Sequence, residues 1–297
     1  MVGNSAERED DESRRSKPRR RYARGRAVGA RLAAVLGVLG VAAGAVWGLT
    51  YAAALEPSPT TREIPALSVQ AANVKPGSVT PVNASLKDSP KKRKQRPSGG
   101  AGTQGSGGGS LTGWAERTSP VIGVPARALI AYGNAEIVTR QTNPGCRLSW
   151  ATLAGIGRVE SDHGRYGGAV LQANGLPSKP IIGVPLNGSG GFKSISDTDG
   201  GKLDGDTEVD RAVGPMQFIP STWASYATDG NGDGVADPQQ IDDAALAAAR
   251  YLCAGGRDMS AAEGWWAGLW SYNQSVEYGQ KVFGLADHYA RAVNQRG

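Results

Sequence analysis

The sequence predicts a mainly helical domain in the C-terminal part of the chain, preceded by a membrane-spanning helix and a disordered linker. Three observations carry this prediction. A run without charged residues extends from Leu32 to Leu55, a segment rich in Pro, Lys, Gly and Ser follows it, and apolar residues then recur at helical spacing between polar caps. The predicted parts are a disordered basic cytoplasmic tail at 1–26, a transmembrane signal anchor at 27–55, a disordered linker at 56–113 and a folded domain at 114–297.

The apolar run from Leu32 to Leu55 is long enough to cross a bilayer, which takes about 20 helical residues. Eight Lys and Arg side chains precede it within residues 14–26. Positive charge beside a first apolar helix keeps that end in the cytoplasm, so the domain is expected on the extracytoplasmic side of the cell membrane. The alternative is a secreted protein, released after cleavage of a signal peptide near Ala52–Ala54.

The net charge of +6 is unevenly distributed along the chain. Residues 1–110 hold 18 Lys and Arg against 8 Asp and Glu, whereas residues 111–297 hold 15 against 19. The folded domain is therefore mildly acidic, and no nucleic-acid partner is expected. The basic run at 90–96 is interpreted as a solvated part of the linker. Its positive charge is expected to attract anionic wall polymers or lipid weakly at most.

Helix signals follow one another through the domain. A first helix is expected to open at Val124-Pro125 and to stop at Asn143-Pro-Gly145, where turn residues cluster. Ser149 can cap a second helix from Trp150 to about His163. Further helix starts are predicted at Ser221, at Asp242 or Asp243, at a Ser260–Glu263 capping box ahead of Trp265–Trp270, and at Ser275.

Between Gly167 and Asp206 the helical pattern is interrupted. Residues 180–192 alternate apolar residues with Gly and Pro and contain Asn187-Gly188, a strong signal for a two-residue turn. A small β-hairpin excursion is predicted there.

Three segments carry a family resemblance. They are Ile156-Gly-Arg-Val-Glu160-Ser-Asp-His-Gly164, Ala212-Val-Gly-Pro-Met-Gln217-Phe-Ile-Pro-Ser-Thr-Trp223 and Trp270-Ser-Tyr272-Asn273-Gln-Ser-Val-Glu-Tyr278. In this order they resemble the lysozyme-like lytic murein transglycosylases, closest to the membrane-bound lytic transglycosylase B type. The resemblance runs from about Thr112 to the end of the chain and implies a lysozyme-like helical fold.

Glu160 is the candidate catalytic residue. A carboxyl group on a semi-apolar helix end can have its pKa raised by desolvation, so it can remain protonated near neutral pH and act as a general acid. The resemblance implies that this one glutamate, acting first as acid and then as base, cleaves the β-1,4 bond between N-acetylmuramic acid and N-acetylglucosamine in peptidoglycan. The implied product is a 1,6-anhydro sugar. The alternatives are a muramidase that uses water and a catalytically weak peptidoglycan-binding scaffold protein.

The resemblance also implies substrate-binding residues. Gln217 matches the family's glutamine, whose amide offers both a donor and an acceptor to an N-acetyl group. Tyr272 and Asn273 match the late motif, and Tyr251 matches a tyrosine on an earlier helix. The family's serine upstream of the glutamine has no clear equivalent in residues 208–211. Trp265, Trp266 and Trp270 are expected to pack rather than to bind sugar.

An EF-hand-like loop begins at Asp229. Oxygen-bearing side chains fall at its first, third, fifth and ninth positions, the turn glycine stands sixth, and the seventh position offers a backbone carbonyl. Gln240 replaces the closing glutamate at position twelve, and the resembled family closes a longer loop with an aspartate, here Asp243. The predicted ligands of a structural Ca²⁺ are Asp229, Asn231, Asp233, Val235, Asp237 and Asp243. A metal-free turn is the alternative, and no cofactor is expected to take part in catalysis.

Two cysteines, Cys146 and Cys253, fall within the domain. Because export favours oxidation, an intradomain disulfide is the leading interpretation, with two buried thiols as the alternative.

Overall fold

The computed structural model describes residues 69–84, 86, 110–189 and 193–295. All of them belong to one compact unit, Thr61–Gly297. Within these ranges no helix combines the length and apolar character needed to cross a membrane. The tail predicted at 1–26 and the membrane span predicted at 27–55 lie outside the described residues.

The described residues form seven α-helices and one two-stranded sheet, which confirms the prediction of a mainly helical domain with a small β component. The elements in chain order are α1 (Leu111–Ile122), α2 (Ala126–Thr142), α3 (Trp150–Ser161), β1 (Ile182–Pro185), β2 (Arg211–Val213), α4 (Pro220–Tyr226), α5 (Ile241–Leu252), α6 (Ala262–Tyr272) and α7 (Val276–Asn294). Single 3₁₀ turns lie at Tyr166–Gly168 and Ala254–Gly256.

Helix α3 lies in the core between α2 and α7. All eight residues from Trp150 to Gly157 are buried. Gly155 allows α7 to approach closely, since a Cβ atom there would stand 3.0 Å from the carbonyl oxygen of Val282. Small residues serve the same purpose in α5, where the alanine-rich stretch after Ile241 is buried against α2. The close packing fixes the position of the C-terminal end of α3.

Two of the predicted helix caps are confirmed. The Ser149 hydroxyl accepts a hydrogen bond from the N–H of Ala151 at the start of α3. The Ser275 hydroxyl accepts one from the N–H of Tyr278 at the start of α7. Both serines satisfy a backbone donor that the helix itself leaves free.

The other predicted caps are wrong, because nearby side chains have different partners. Helix α4 starts one residue before Ser221, with Pro220 in its first turn. Gln240 caps α5, and its side-chain oxygen accepts a hydrogen bond from the N–H of Asp242 at 2.6 Å. At α6 the cap residue is Ala261, since the Ser260 hydroxyl donates instead to the Asp258 carboxylate.

The predicted hairpin is replaced by a longer-range pairing. β1 pairs in antiparallel fashion with β2, Ile182 lying opposite Val213. Asn187 forms only an isolated bridge with Ser194, and its side-chain oxygen accepts a hydrogen bond from the N–H of Ser189. The strand that covers β1 comes from about thirty residues further along the chain.

Part of the predicted linker lies on the domain. Residues 69–84 and Leu86, here called the N-terminal strap, run without helix or strand across three helices. The indole N–H of Trp266 donates to the Ser78 carbonyl at 3.2 Å, and the N–H of Leu86 donates to buried Glu136 at 3.1 Å. Within the range predicted as a disordered linker, 56–113, the residues of the strap thus have hydrogen-bond partners in the domain. Helix α1 begins at Leu111, also inside that range.

Cys146 and Cys253 form a disulfide, with their Cα atoms 5.4 Å apart. The bond links the residues before α3 to the end of α5 across a sequence separation of 107 residues. The disulfide interpretation is confirmed.

Candidate active site

Glu160 lies in the last turn of α3, where the helix changes conformation abruptly. Asp162 (φ 51°) and His163 (φ 60°) both adopt the left-handed conformation, which is uncommon for residues other than glycine. The N–H of His163 donates to the Gly157 carbonyl at 2.8 Å and so closes the helix end. This sharp end leaves Glu160 at the boundary between the core and solvent.

Tyr278 holds the Glu160 carboxyl group. Its hydroxyl, carried by the first turn of α7, donates to Glu160 Oε1 at 2.6 Å. Loss of solvation raises the pKa of Glu160 to about 7, and the hydrogen bond from Tyr278 opposes part of this rise. Near neutral pH, Glu160 therefore has both its protonated and its ionised form available.

Tyr272 and Asn273, at the end of α6, lie beside this pair. The Tyr272 ring stacks on that of Tyr278, with centroids 6.4 Å apart and planes 7° apart. Its hydroxyl donates to the Met216 carbonyl at 2.7 Å. Asn273 is the residue after the helix and is partly exposed. The structure thus brings the late motif to the first one.

Gln217 adopts the left-handed conformation (φ 48°) in the turn after β2. Its side-chain amide donates to the Gly214 carbonyl at 3.0 Å, so the nitrogen is engaged within its own turn. The turn is attached to α3 by buried Ser161, whose hydroxyl donates to the Pro215 carbonyl at 2.6 Å and accepts from the N–H of Gly164 at 2.8 Å. The residue next to Glu160 therefore fixes the turn that carries Gln217.

Tyr251, on α5, occupies the space between α4 and α6. Its ring lies 5.7 Å from that of Tyr272, and its hydroxyl donates to the Ser271 carbonyl. It is partly exposed and contributes to the same aromatic wall as Tyr272 and Tyr278.

Two residues of the site escaped the sequence reasoning, although both stand in the quoted motifs. Tyr278 ends the third segment, and the Ser275 cap places it in the first helical turn. Ser161 follows Glu160 directly. Their positions in the sequence do not indicate that Tyr278 contacts the Glu160 carboxyl group, or that Ser161 binds a loop more than fifty residues away.

Two other carboxylates, those of Asp162 and Asp210, bind other side chains. Asp162 forms ion pairs with Arg158 and Arg165. Asp210 is buried, and its two oxygens accept hydrogen bonds from the N–H and the hydroxyl of Thr198. Of these three carboxyl groups, Glu160 is the one with the environment expected of a general acid.

The EF-hand-like loop is closed by two carboxylates. Asp229 accepts hydrogen bonds from three backbone N–H groups of the loop, including that of Gly234 at 2.8 Å. Asp243 reaches back from α5 and accepts from the N–H groups of Gly230 and Asp237. Burial raises the pKa of Asp243, and the nearby charge of Asp229 adds to the rise.

A separate acidic cluster lies in the excursion. Asp197, Asp199 and Asp210 are the group of three within the described ranges whose carboxylate oxygens come within 4.8 Å of one another. Thr198 and backbone N–H groups of the loop occupy these oxygens.

Comparison with known proteins gives one family match. The transglycosylase SLT domain family matches residues 208–269, a segment that includes Gln217, Tyr251 and the EF-hand-like loop but begins after Glu160. No curated protein sequence matches the chain.

Two solved structures are similar to this chain, and both are of the Escherichia coli lytic transglycosylase Slt35, one in complex with bulgecin A and the other with calcium. Each is 16% identical to this chain with a TM-score of 0.33, and the alignments cover 60% of this chain and 78% or 79% of Slt35. The family match is therefore confined to residues 208–269, and this segment of the folded domain is similar to a transglycosylase SLT domain.

Proposed function

We propose that this protein is a lytic transglycosylase that cleaves the β-1,4 bond between N-acetylmuramic acid and N-acetylglucosamine in peptidoglycan, with Glu160 as its single general acid and base. The observation that carries the proposal is the environment of Glu160. A carboxyl group with a pKa of about 7, held by Tyr278 at the boundary of the core, can give up and take back a proton at neutral pH.

The surroundings of Glu160 favour a mechanism with one carboxylate. Hydrolysis of a glycosidic bond generally uses a second carboxylate as nucleophile or as base for water. Asp162 is paired with two arginines and Asp210 with Thr198, so neither is placed to assist Glu160. An internal nucleophile removes the need for a second carboxylate.

Protonated Glu160 gives its proton to the glycosidic oxygen as the bond to the anomeric carbon breaks. The N-acetyl group of the muramic acid stabilises the positive charge at that carbon. The sugar's 6-hydroxyl oxygen then bonds to the carbon, and its proton returns to Glu160. No water is consumed, the enzyme regains its proton, and the tethered hydroxyl has an entropic advantage over water.

The deciding experiment is mass spectrometry of the fragments released from purified peptidoglycan. Anhydro ends are expected from the wild-type protein, and Glu160→Gln should reduce their release by at least ~100-fold. Glu116→Gln, which changes an exposed glutamate of α1, is the matched control and should retain activity. Reducing ends would identify a muramidase instead, and intact peptidoglycan would identify a binding protein.

We also propose that the EF-hand-like loop binds a structural Ca²⁺. Burial chiefly raises the pKa of Asp243 and the nearby charge of Asp229 adds to the rise, an arrangement that a cation relieves. Asp229, Asn231, Asp233 and Asp237 would supply side-chain oxygens and Val235 its carbonyl, with Asp243 closing the site. The bound ion would stabilise the start of α5 without taking part in proton transfer.

For location, we propose that the domain is held outside the cell membrane by an uncleaved helix at 27–55. The support is the uncharged run behind a basic tail. In intact cells an external protease should reach the domain and leave residues 1–26 protected. A mature, membrane-free protein that begins near Leu55 would show that the segment is a cleaved signal peptide.

A further inference from the structure

Four tyrosine rings form a row that starts at Glu160. Tyr278 contacts the carboxyl group, Tyr272 stacks on Tyr278, and Tyr251 follows with its ring centroid 5.7 Å from that of Tyr272. Tyr226, the last residue of α4, ends the row at 4.8 Å from Tyr251, with the ring planes 41° apart. The row is built from four different positions in the chain, and the family resemblance gives Tyr226 no role.

The hydroxyl groups of the first three tyrosines are engaged by the protein. Tyr278 donates to Glu160, Tyr272 to the Met216 carbonyl and Tyr251 to a carbonyl at the end of α6. Their orientation is therefore fixed. Tyr278 is buried, so the aromatic surface that remains available to a ligand is that of Tyr272 and Tyr251, which are partly exposed. Aromatic surface suits the apolar C–H faces of sugars.

Tyr226 is held differently. The Arg250 guanidinium donates to the main-chain carbonyls of Tyr226 and Ala227, the latter at 2.9 Å, so the end of α4 is fixed through its backbone. The Tyr226 side chain is partly exposed. Within the described residues none forms a hydrogen bond with its hydroxyl, which leaves that group able to bind a sugar hydroxyl.

We propose that Tyr226 is a substrate-binding residue for a sugar beyond the two that flank the cleaved bond. The proposal rests on the proposed function, because it places the cleaved bond at Glu160. Each step of the row, from 4.8 to 6.4 Å between centroids, is about the length of one sugar ring. Three steps separate Tyr226 from Tyr278. Longer glycan strands would therefore contact Tyr226, and short ones would not.

The test compares Tyr226→Ala and Tyr226→Phe on a series of glycan strands of increasing length. Tyr226→Ala should raise KM for long strands by about 10-fold, the effect of losing a contact worth ~1.4 kcal/mol, and leave kcat/KM for the shortest cleaved strand unchanged. Tyr226→Phe keeps the ring and should retain most of the preference for long strands. Trp270→Ala, which removes an exposed aromatic ring outside the row, is the matched control and should leave the length dependence as in wild type.

An equal loss on strands of every length, together with a lower melting temperature, would overturn the proposal, since Tyr226 would then only support Tyr251. Binding of long strands is measured in parallel with Glu160→Gln protein, with and without Tyr226→Ala. Weaker binding of the double variant supports the proposal even if the fragments show that the cleavage chemistry is wrong. Equal binding of the two proteins contradicts it.

Discussion

Replacement of Glu160 by glutamine should make the folded protein more stable at alkaline pH. The pKa of this carboxyl group rises from 4.5 in the unfolded chain to about 7 in the folded protein, chiefly because burial removes solvent from the ionised form. Between these two values the folded state binds more protons than the unfolded state. The contribution of Glu160 to stability is therefore fully present below pH 4.5 and is lost as the pH rises through about 7.

The size of the effect follows from the two pKa values. The difference between 4.5 and about 7 corresponds to at most ~3 kcal/mol. Because Glu160 remains partly accessible to solvent, we expect about 1–2 kcal/mol in practice. Glutamine keeps the shape of the side chain and removes the ionised form, so Glu160→Gln should avoid this loss.

The assay is denaturant unfolding of both proteins at a series of pH values from 4 to 9, with calcium held constant. The free energy of unfolding of Glu160→Gln minus that of wild type should increase with pH and level off above about pH 8. Glu116→Gln serves as the control for the loss of an exposed carboxylate. A difference that is constant across the series, or that decreases with pH, would refute the reasoning that Glu160 is desolvated in the folded state.

Three further predictions concern the hydrogen bond, the disulfide and the metal. Tyr278→Phe removes a hydrogen-bond donor that favours ionised Glu160, so the pKa of Glu160 should rise. The alkaline limb of the pH profile of kcat/KM should then move to higher pH while the rate falls. An unchanged alkaline limb would mean that the hydrogen bond does not affect the pKa of Glu160. Reduction of Cys146–Cys253 should lower the free energy of unfolding by up to ~4–5 kcal/mol, measured by denaturant melts with and without reductant, and coincident melts would contradict it. Chelation should lower the melting temperature because calcium at 100 times its dissociation constant stabilises the folded state by about 2.7 kcal/mol, and Asp233→Ala should abolish that response. A wild-type melt that ignores the chelator would indicate a metal-free turn.

Helix caps illustrate how far local sequence signals reach. Ser149 and Ser275 each accept a hydrogen bond from a backbone N–H within three residues, as the local cap signal predicts. Ser260 has the same local pattern but bonds to Asp258. Which partner such a hydroxyl binds depends on the surrounding fold, and a local pattern of residues does not specify the fold.

The sequence by itself determined the helical character of the domain, the position of Glu160 at a helix end and which two cysteines could pair. These follow from periodicity, from a short motif and from residue counts, and all three are properties of the chain itself.

Only the tertiary structure decided what surrounds these features. Tyr278 reaches Glu160 across 118 positions of the chain, β1 pairs with β2 rather than with the nearest segment, and the N-terminal strap lies on the domain. Burial raises the pKa of Glu160, and Tyr278, which contacts the carboxyl group, comes from the distant helix α7. Contacts of this kind depend on how buried faces fit together in three dimensions, and the spacing of residues along the sequence does not specify that fit.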